Sequence, residues 1–152
     1  MYKSEDSGKT WVYKGLEESH HIGKIILHPK NKNIAWVAVL GHLYSANKER
    51  GLYKTADGGN TWKQTLYIND STGCVDMAID ANNADVLYTT TWTRSRSAWN
   101  FNGVGSKSGI YKSVDGGMQW QNISAEGSGF VTGNLTGRIG ISVYDKNPNI
   151  MY

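Results

Sequence analysis

An eleven-residue segment is written three times in this chain: MYKSEDSGKTW at 1–11, LYKTADGGNTW at 52–62 and IYKSVDGGMQW at 110–120. Such repetition constrains the fold strongly, because each copy must belong to one structural unit that buries its apolar face against the next. Trp11 and Trp62 are 51 residues apart, and Trp62 and Trp120 are 58 apart. That interval holds roughly four short strands, the blade length of a β-propeller. A second element recurs in phase: ILHPKNKNIAW at 26–36, IDANNADVLY at 79–88 and VYDKNPNIMY at 143–152 each read as strand, polar turn, strand. Val75, Met77 and Ile79 alternate with Asp76, Ala78 and Asp80, the period-2 pattern of β structure, and no helical stripe of useful length is present.

The fold class predicted is therefore all-β, built of propeller blades. Lettering the strands of a blade a to d from the centre outward, strand a falls near 22–28, b near 33–39, c near 51–55 and d near 61–67, and the order then repeats. The chain reads as one partial propeller over 1–152: a half blade at 1–15, blades at 22–67 and 73–123, and a half blade at 138–152. Met1 aligns inside strand c and Tyr152 inside strand b, so both ends are expected to fall mid-blade. About three blade equivalents are too few to close a ring, which implies a fragment of a longer protein or a homodimer in which two chains share half blades.

Composition removes several function classes. Sixteen Lys and Arg against thirteen Asp and Glu give a net charge of +3, too mild and dispersed for a nucleic-acid surface. No apolar run is long enough to insert in a membrane, and the N-terminus has no signal-peptide pattern. Cys74 is the only cysteine, so no intrachain disulfide forms. No nucleophile elbow, P-loop or dinucleotide fingerprint occurs and no cofactor is expected; the glycine-rich stretch at 103–109 reads as a loop between strands.

The repeated segment resembles the Asp-box, or bacterial neuraminidase repeat, with the pattern Ser/Thr-x-Asp-x-Gly-x-Thr-Trp. Ser4, Asp6, Gly8, Thr10 and Trp11 carry it, as do Thr55, Asp57, Gly59, Thr61 and Trp62. Ser113, Asp115, Gly117 and Trp120 form a third copy in which Gln119 replaces the threonine. With VLGHLYSANKERGLYKTADGG and TGRIGISV around them, the boxes look like those of sortilin-like and glycosyl-hydrolase-like propellers. The residues themselves indicate a structural role: Asp accepts bonds from its own turn, Gly supplies a positive φ, and Trp packs into the sheet. The resemblance likewise places the box on the periphery, away from any active centre.

Loop lengths point to the working face. In antiparallel blades the a–b and c–d turns share one face, and the b–c and d–a connections share the other. The former keep constant lengths, whereas b–c connections run 40–50 and 92–108, and d–a connections 16–21, 68–72 and 124–137. Variation confined to one face marks it for binding. Arg50, Arg94, Arg96 and Arg138 all fall on that face, where guanidinium groups could hold a carboxylate, a sulfate or an acidic peptide, or brace the loops. Trp99 beside Asn100 suits stacking on a sugar ring or anchoring a peptide, and His42 lies in the same set of loops. The best carboxylates for glycoside chemistry are Asp76, on an inner strand, and Asp70, in the adjacent d–a loop. His20, His21 and His42 share the variable face, yet their spacing supports no metal site.

The function expected is an extracytoplasmic binding module that holds a peptide or a carbohydrate; the resemblance implies the secreted, periplasmic or cell-surface address. The alternative is a fragment of a glycoside hydrolase or sialidase-like enzyme. Against a sialidase stands the sequence Arg138-Ile139-Gly140, where the sialidase pattern resembles Arg-Ile-Pro.

Overall fold

A computed structural model describes residues 1–152. Two four-stranded antiparallel sheets make up the body of the protein. The first is ordered β3(His21–Leu27), β4(Ala35–Gly41), β5(Gly51–Thr55), β6(Lys63–Leu66). The second is ordered β7(Thr72–Ile79), β8(Leu87–Thr93), β11(Gly109–Ser113), β12(Gln121–Asn122). Within each sheet every strand pairs with the sheet's next strand along the chain, so each sheet is a meander, the second one interrupted between β8 and β11. A hairpin of β1(Tyr2–Lys3) and β2(Val12–Tyr13) precedes them, joined to β3 through a single 3-10 turn at Glu17–Ser19.

Two segments differ from the sequence reading. The connection at 92–108, expected as a loop, carries a hairpin of β9(Ser95–Arg96) and β10(Phe101–Asn102). Residues 138–141, expected to open a strand a, form no strand, and side chains of the second sheet hold their backbone. Thr90 Oγ1 donates to the Ile139 carbonyl at 2.9 Å, and the Ile141 N–H donates to Asp76 Oδ2 at 3.2 Å. Pairing resumes only between Ser142 and Tyr152, which exchange backbone bonds of 2.8 and 3.0 Å.

The core lies where the inner strands of the two sheets meet: Trp36, Ala38 and Leu52 of the first sheet and Cys74, Met77 and Leu87 of the second are all buried. The backbones approach closely there. A Cβ on Gly73 would stand 2.7 Å from the Val39 carbonyl oxygen, and one on Gly23 would collide with the Val75 carbonyl, so neither position admits a side chain. Tryptophans tie neighbouring units. Trp36 Nε1 donates to the Gly116 carbonyl at 2.9 Å, and Trp62 Nε1 donates to the Lys14 carbonyl at 2.6 Å.

The repeated turns have one design. Ser4, Thr55 and Ser113 each donate a hydroxyl to the aspartate two residues on, at 2.8, 2.8 and 2.7 Å. Each hydroxyl also accepts the N–H of the glycine four residues on, Gly8, Gly59 or Gly117, at 2.8 to 2.9 Å. Those glycines have φ of 87°, 89° and 81°, the left-handed region glycine enters at least cost.

Candidate functional site

The 3-10 turn and the β4–β5, β6–β7 and β8–β11 connections meet on the face away from the repeated turns, and buried arginine joins them. Arg50 is 1% exposed. Its Nη1 donates to the Ser71 and Arg94 carbonyls at 2.9 and 3.3 Å, its Nη2 to the His42 and Ser45 carbonyls at 2.9 and 3.0 Å, and its Nε to Asn47 Oδ1 at 3.2 Å. The rigid five-donor fork of guanidinium suits such a hub. With those donors spent, Arg50 braces the loops and has none left for a ligand, which corrects its assignment to ligand binding.

Arg94 is 8% exposed, with Nη2 donating to the Gly41 carbonyl at 3.4 Å and Nε without a partner. Burial lowers the pKa of both arginines, and like charge adds to it: Arg94 acts on Arg50, and Arg138 acts on Arg94. Only Asp70 opposes this, acting on Arg50, and none of the four arginines makes an ion pair. The row is thus electrostatically underpaid.

At the surface the arginines lie against aromatic rings. The Arg96 guanidinium is 6.0 Å from the Tyr44 ring and 5.8 Å from the Phe101 ring; Phe101 meets Trp92 edge-on at 6.0 Å. Trp92 in turn carries Arg94 at 5.5 Å and Arg138 at 5.9 Å. Arg96 and Arg138 are exposed and their guanidinium groups donate no hydrogen bond within the chain. The β9–β10 hairpin builds this edge: Phe101 pairs with Arg96, and the Ser97 N–H donates to the Asn100 carbonyl at 2.8 Å. That closure leaves Trp99 at the tip, 88% exposed, with the Asn100 side chain beside it in solvent. Tyr44, 64% exposed, and Trp92 were not singled out from the sequence; an aromatic residue in a variable connection was the available signal for Tyr44.

The two candidate carboxylates are held apart in different networks. Asp70 accepts the Tyr67 hydroxyl. Asp76 accepts the Met77 N–H at 2.8 Å through Oδ1 and the Ile141 N–H through Oδ2, and Lys24 Nζ stands 3.6 Å away. Asp76 therefore links three segments of chain, and no hydrogen bond joins it to Asp70. His42 turns its Nδ1 to Ser45 Oγ at 3.0 Å and lies tilted against the His20 ring, while His21 Nδ1 meets the Gly41 carbonyl at 3.0 Å. Burial pushes the Cys74 thiol up to about 12, which makes it inert. A groove of about 640 Å³ lies elsewhere, lined by Ser4, Lys32, Gly58 and Gly59 among others on the repeated-turn side.

Comparison with known proteins places this geometry. The sequence model of the Sortilin-Vps10 family, described as "Sortilin, neurotensin receptor 3", matches residues 1–149, and the chain belongs to that family of β-propellers, whose members are extracellular or luminal. The crystal structure of an ancestral GH74 enzyme, a propeller, superimposes with a TM-score of 0.73 over 99% of this chain at 20% identity, and so shares the fold. The chain spans 18% of that structure's length. No curated protein sequence matches. No helix is long and apolar enough to cross a membrane.

Proposed function

We propose that this chain is an extracytoplasmic binding module that holds a carboxylate-bearing glycan or peptide on the face of its variable connections, with the repeated turns serving as structural Asp-boxes on the opposite face. The observation that carries this reading is the arginine row without an ion-pair partner, which ends at Arg138 while Arg96 and Trp99 stand on the same aromatic edge. A ligand carboxylate supplies the missing negative charge by paired hydrogen bonds, and the exposed rings offer stacking area for a sugar or an apolar side chain. Arg50 and Arg94 fix the frame; Arg96, Arg138, Trp99 and Asn100 make the contact.

Calorimetric titration with a uronic-acid oligosaccharide and with an acidic peptide tests this and separates the two ligand classes. Arg96→Gln and Trp99→Ala should each weaken the bound class by about tenfold or more, and binding should fall as salt rises. Failure of the folded protein to bind either probe, or binding indifferent to both substitutions, would sink the proposal. The enzyme reading draws on the fold shared with the GH74 enzyme and would need Asp76 and Asp70 as its carboxylates. Asp76 is already committed to two amides and a lysine, so we place it in the frame. Hydrolysis of a glycoside, lost in a folded Asp76→Asn variant, would reverse that assignment.

A further inference from the structure

Beside the arginine row, the 3-10 turn and the β4–β5 connection bring three metal-ligating side chains together. The His20 and His42 rings overlap, with centroids 3.7 Å apart at 42°. Glu18 Oε2 stands 3.8 Å from His42 Nε2, and one ligand atom from each of Glu18, His20 and His42 lies within 4.8 Å of the others. His42 Nε2 is shut off from solvent and has no hydrogen-bond partner. Its distance to the carboxylate is too long for a hydrogen bond. It is close to the roughly 3.3 Å between two ligands of a tetrahedral zinc ion with bonds of about 2.0–2.1 Å. Glu18 and His20 are exposed and free to close the remaining gap.

The surroundings are those of a prepared site. Ser45 Oγ lies 3.0 Å from His42 Nδ1; when Nδ1–H donates to it, the lone pair stays on Nε2, facing Glu18, and such an outer partner typically fixes a metal-ligating histidine. Asn47, buried, fastens the two ligand-bearing segments: Nδ2 donates to the Glu18 carbonyl at 3.3 Å, and Oδ1 accepts the His42 N–H at 3.0 Å. His20 sits at φ 50°, ψ −80°, a costly conformation for a residue with a Cβ. That kink separates His20 from His21, which turns to the Gly41 carbonyl. The fold thus replaces the triplet of histidines considered from the sequence with two histidines and a glutamate.

We propose that Glu18, His20 and His42 bind a divalent transition-metal ion of the zinc class, with three protein ligands and a solvent-facing fourth position. Two imidazoles and one carboxylate with an open position are a donor set that zinc accepts. The ion would clamp the β2–β3 turn to the β4–β5 connection. This inference is independent of the ligand proposed above.

Titration of the whole chain with Co²⁺, followed by Zn²⁺ competition, reads the site directly. One equivalent of Co²⁺ should give the strong visible bands of four-coordinate cobalt, and Zn²⁺ should displace it. Because His42 is partly buried, the discriminating variants are the exposed Glu18→Gln and His20→Asn, asparagine being, like histidine, among the non-glycine residues that most often take a positive φ. Each should abolish the bands while the circular dichroism stays native. Ser45→Ala should weaken Zn²⁺ by about tenfold or more, and His28→Ala, which removes a ring stacked on Trp36, should leave it unchanged. Absence of the bands, bands that survive both Glu18→Gln and His20→Asn, or bands lost in a natively folded His28→Ala would overturn the proposal.

Discussion

Asp6 accepts both the amide and the hydroxyl of Thr10, at 2.9 and 2.7 Å, and Asp57 accepts both groups of Thr61, at 2.9 and 2.6 Å. Asp115 keeps the Ser113 hydroxyl but at the far end of its turn has amides alone, from Met118 and Gln119, because Gln119 brings no second hydroxyl. Those bonds favour the ionised carboxylate. The Thr10 amide above all lowers Asp6 from 3.8 to about 2; the Thr61 hydroxyl leads in depressing Asp57, and the Gln119 amide leads for Asp115. Each folded-state pKa lies below its unfolded value, so the stabilisation is complete above about pH 4 and drains away as pH falls toward about 2. Melting curves between about pH 5 and 2.5 check this. Wild type should lose more stability across that range than Asp57→Asn does, and Asp115→Asn should fall between them; parallel curves for all three would contradict it.

The same scale shows what a sequence can and cannot disclose. Ser4, Asp6 and Gly8 bond to one another within four residues, so their turn was legible from spacing. Arg50 takes its partners from Asn47, His42, Ser45, Ser71 and Arg94, and only the folded chain shows that it is a hub and not a ligand contact. Glu18 carried no signal of its own, since its relation to His42 depends on Asn47 drawing two connections together.

At the scale of elements, the sheets follow from short polar turns between alternating strands, whereas the β9–β10 hairpin was hidden. Its strands have two residues each and too little alternation to read, and they hold because the Phe101 ring packs on Trp92 and Arg96 packs on Phe101. The connections behave as a unit through Arg50. Arg50→Met strips four carbonyls and Asn47 of their donor and should cost about 3 kcal/mol or more. Arg96→Met, on the same face but exposed, should stay within about 0.5 kcal/mol of wild type. Urea denaturation of the two variants compares them; equal losses would mean that Arg50 is not the brace. Gly23→Ala should destabilise by about 1–3 kcal/mol, because its methyl would meet the Val75 carbonyl at the contact between sheets.

In the whole molecule the two faces are built differently. The repeated turns and the tryptophans behind them join one unit to the next, through Trp36 to Gly116 and Trp62 to Lys14. The opposite face gathers the arginines, the exposed rings and the Glu18, His20 and His42 cluster. Family membership and the fold shared with a GH74 enzyme establish the propeller and fix no ligand, since one architecture hosts many functions. The most direct test of the account is to map amide and indole NMR shifts during titration with the uronic-acid oligosaccharide or the acidic peptide. The account predicts that the largest changes fall on Tyr44, Arg96, Trp99, Asn100 and Arg138, with the turns at Asp6, Asp57 and Asp115 undisturbed. Changes centred on those turns or on the groove beside Gly58 and Gly59, with Trp99 unmoved, would contradict it.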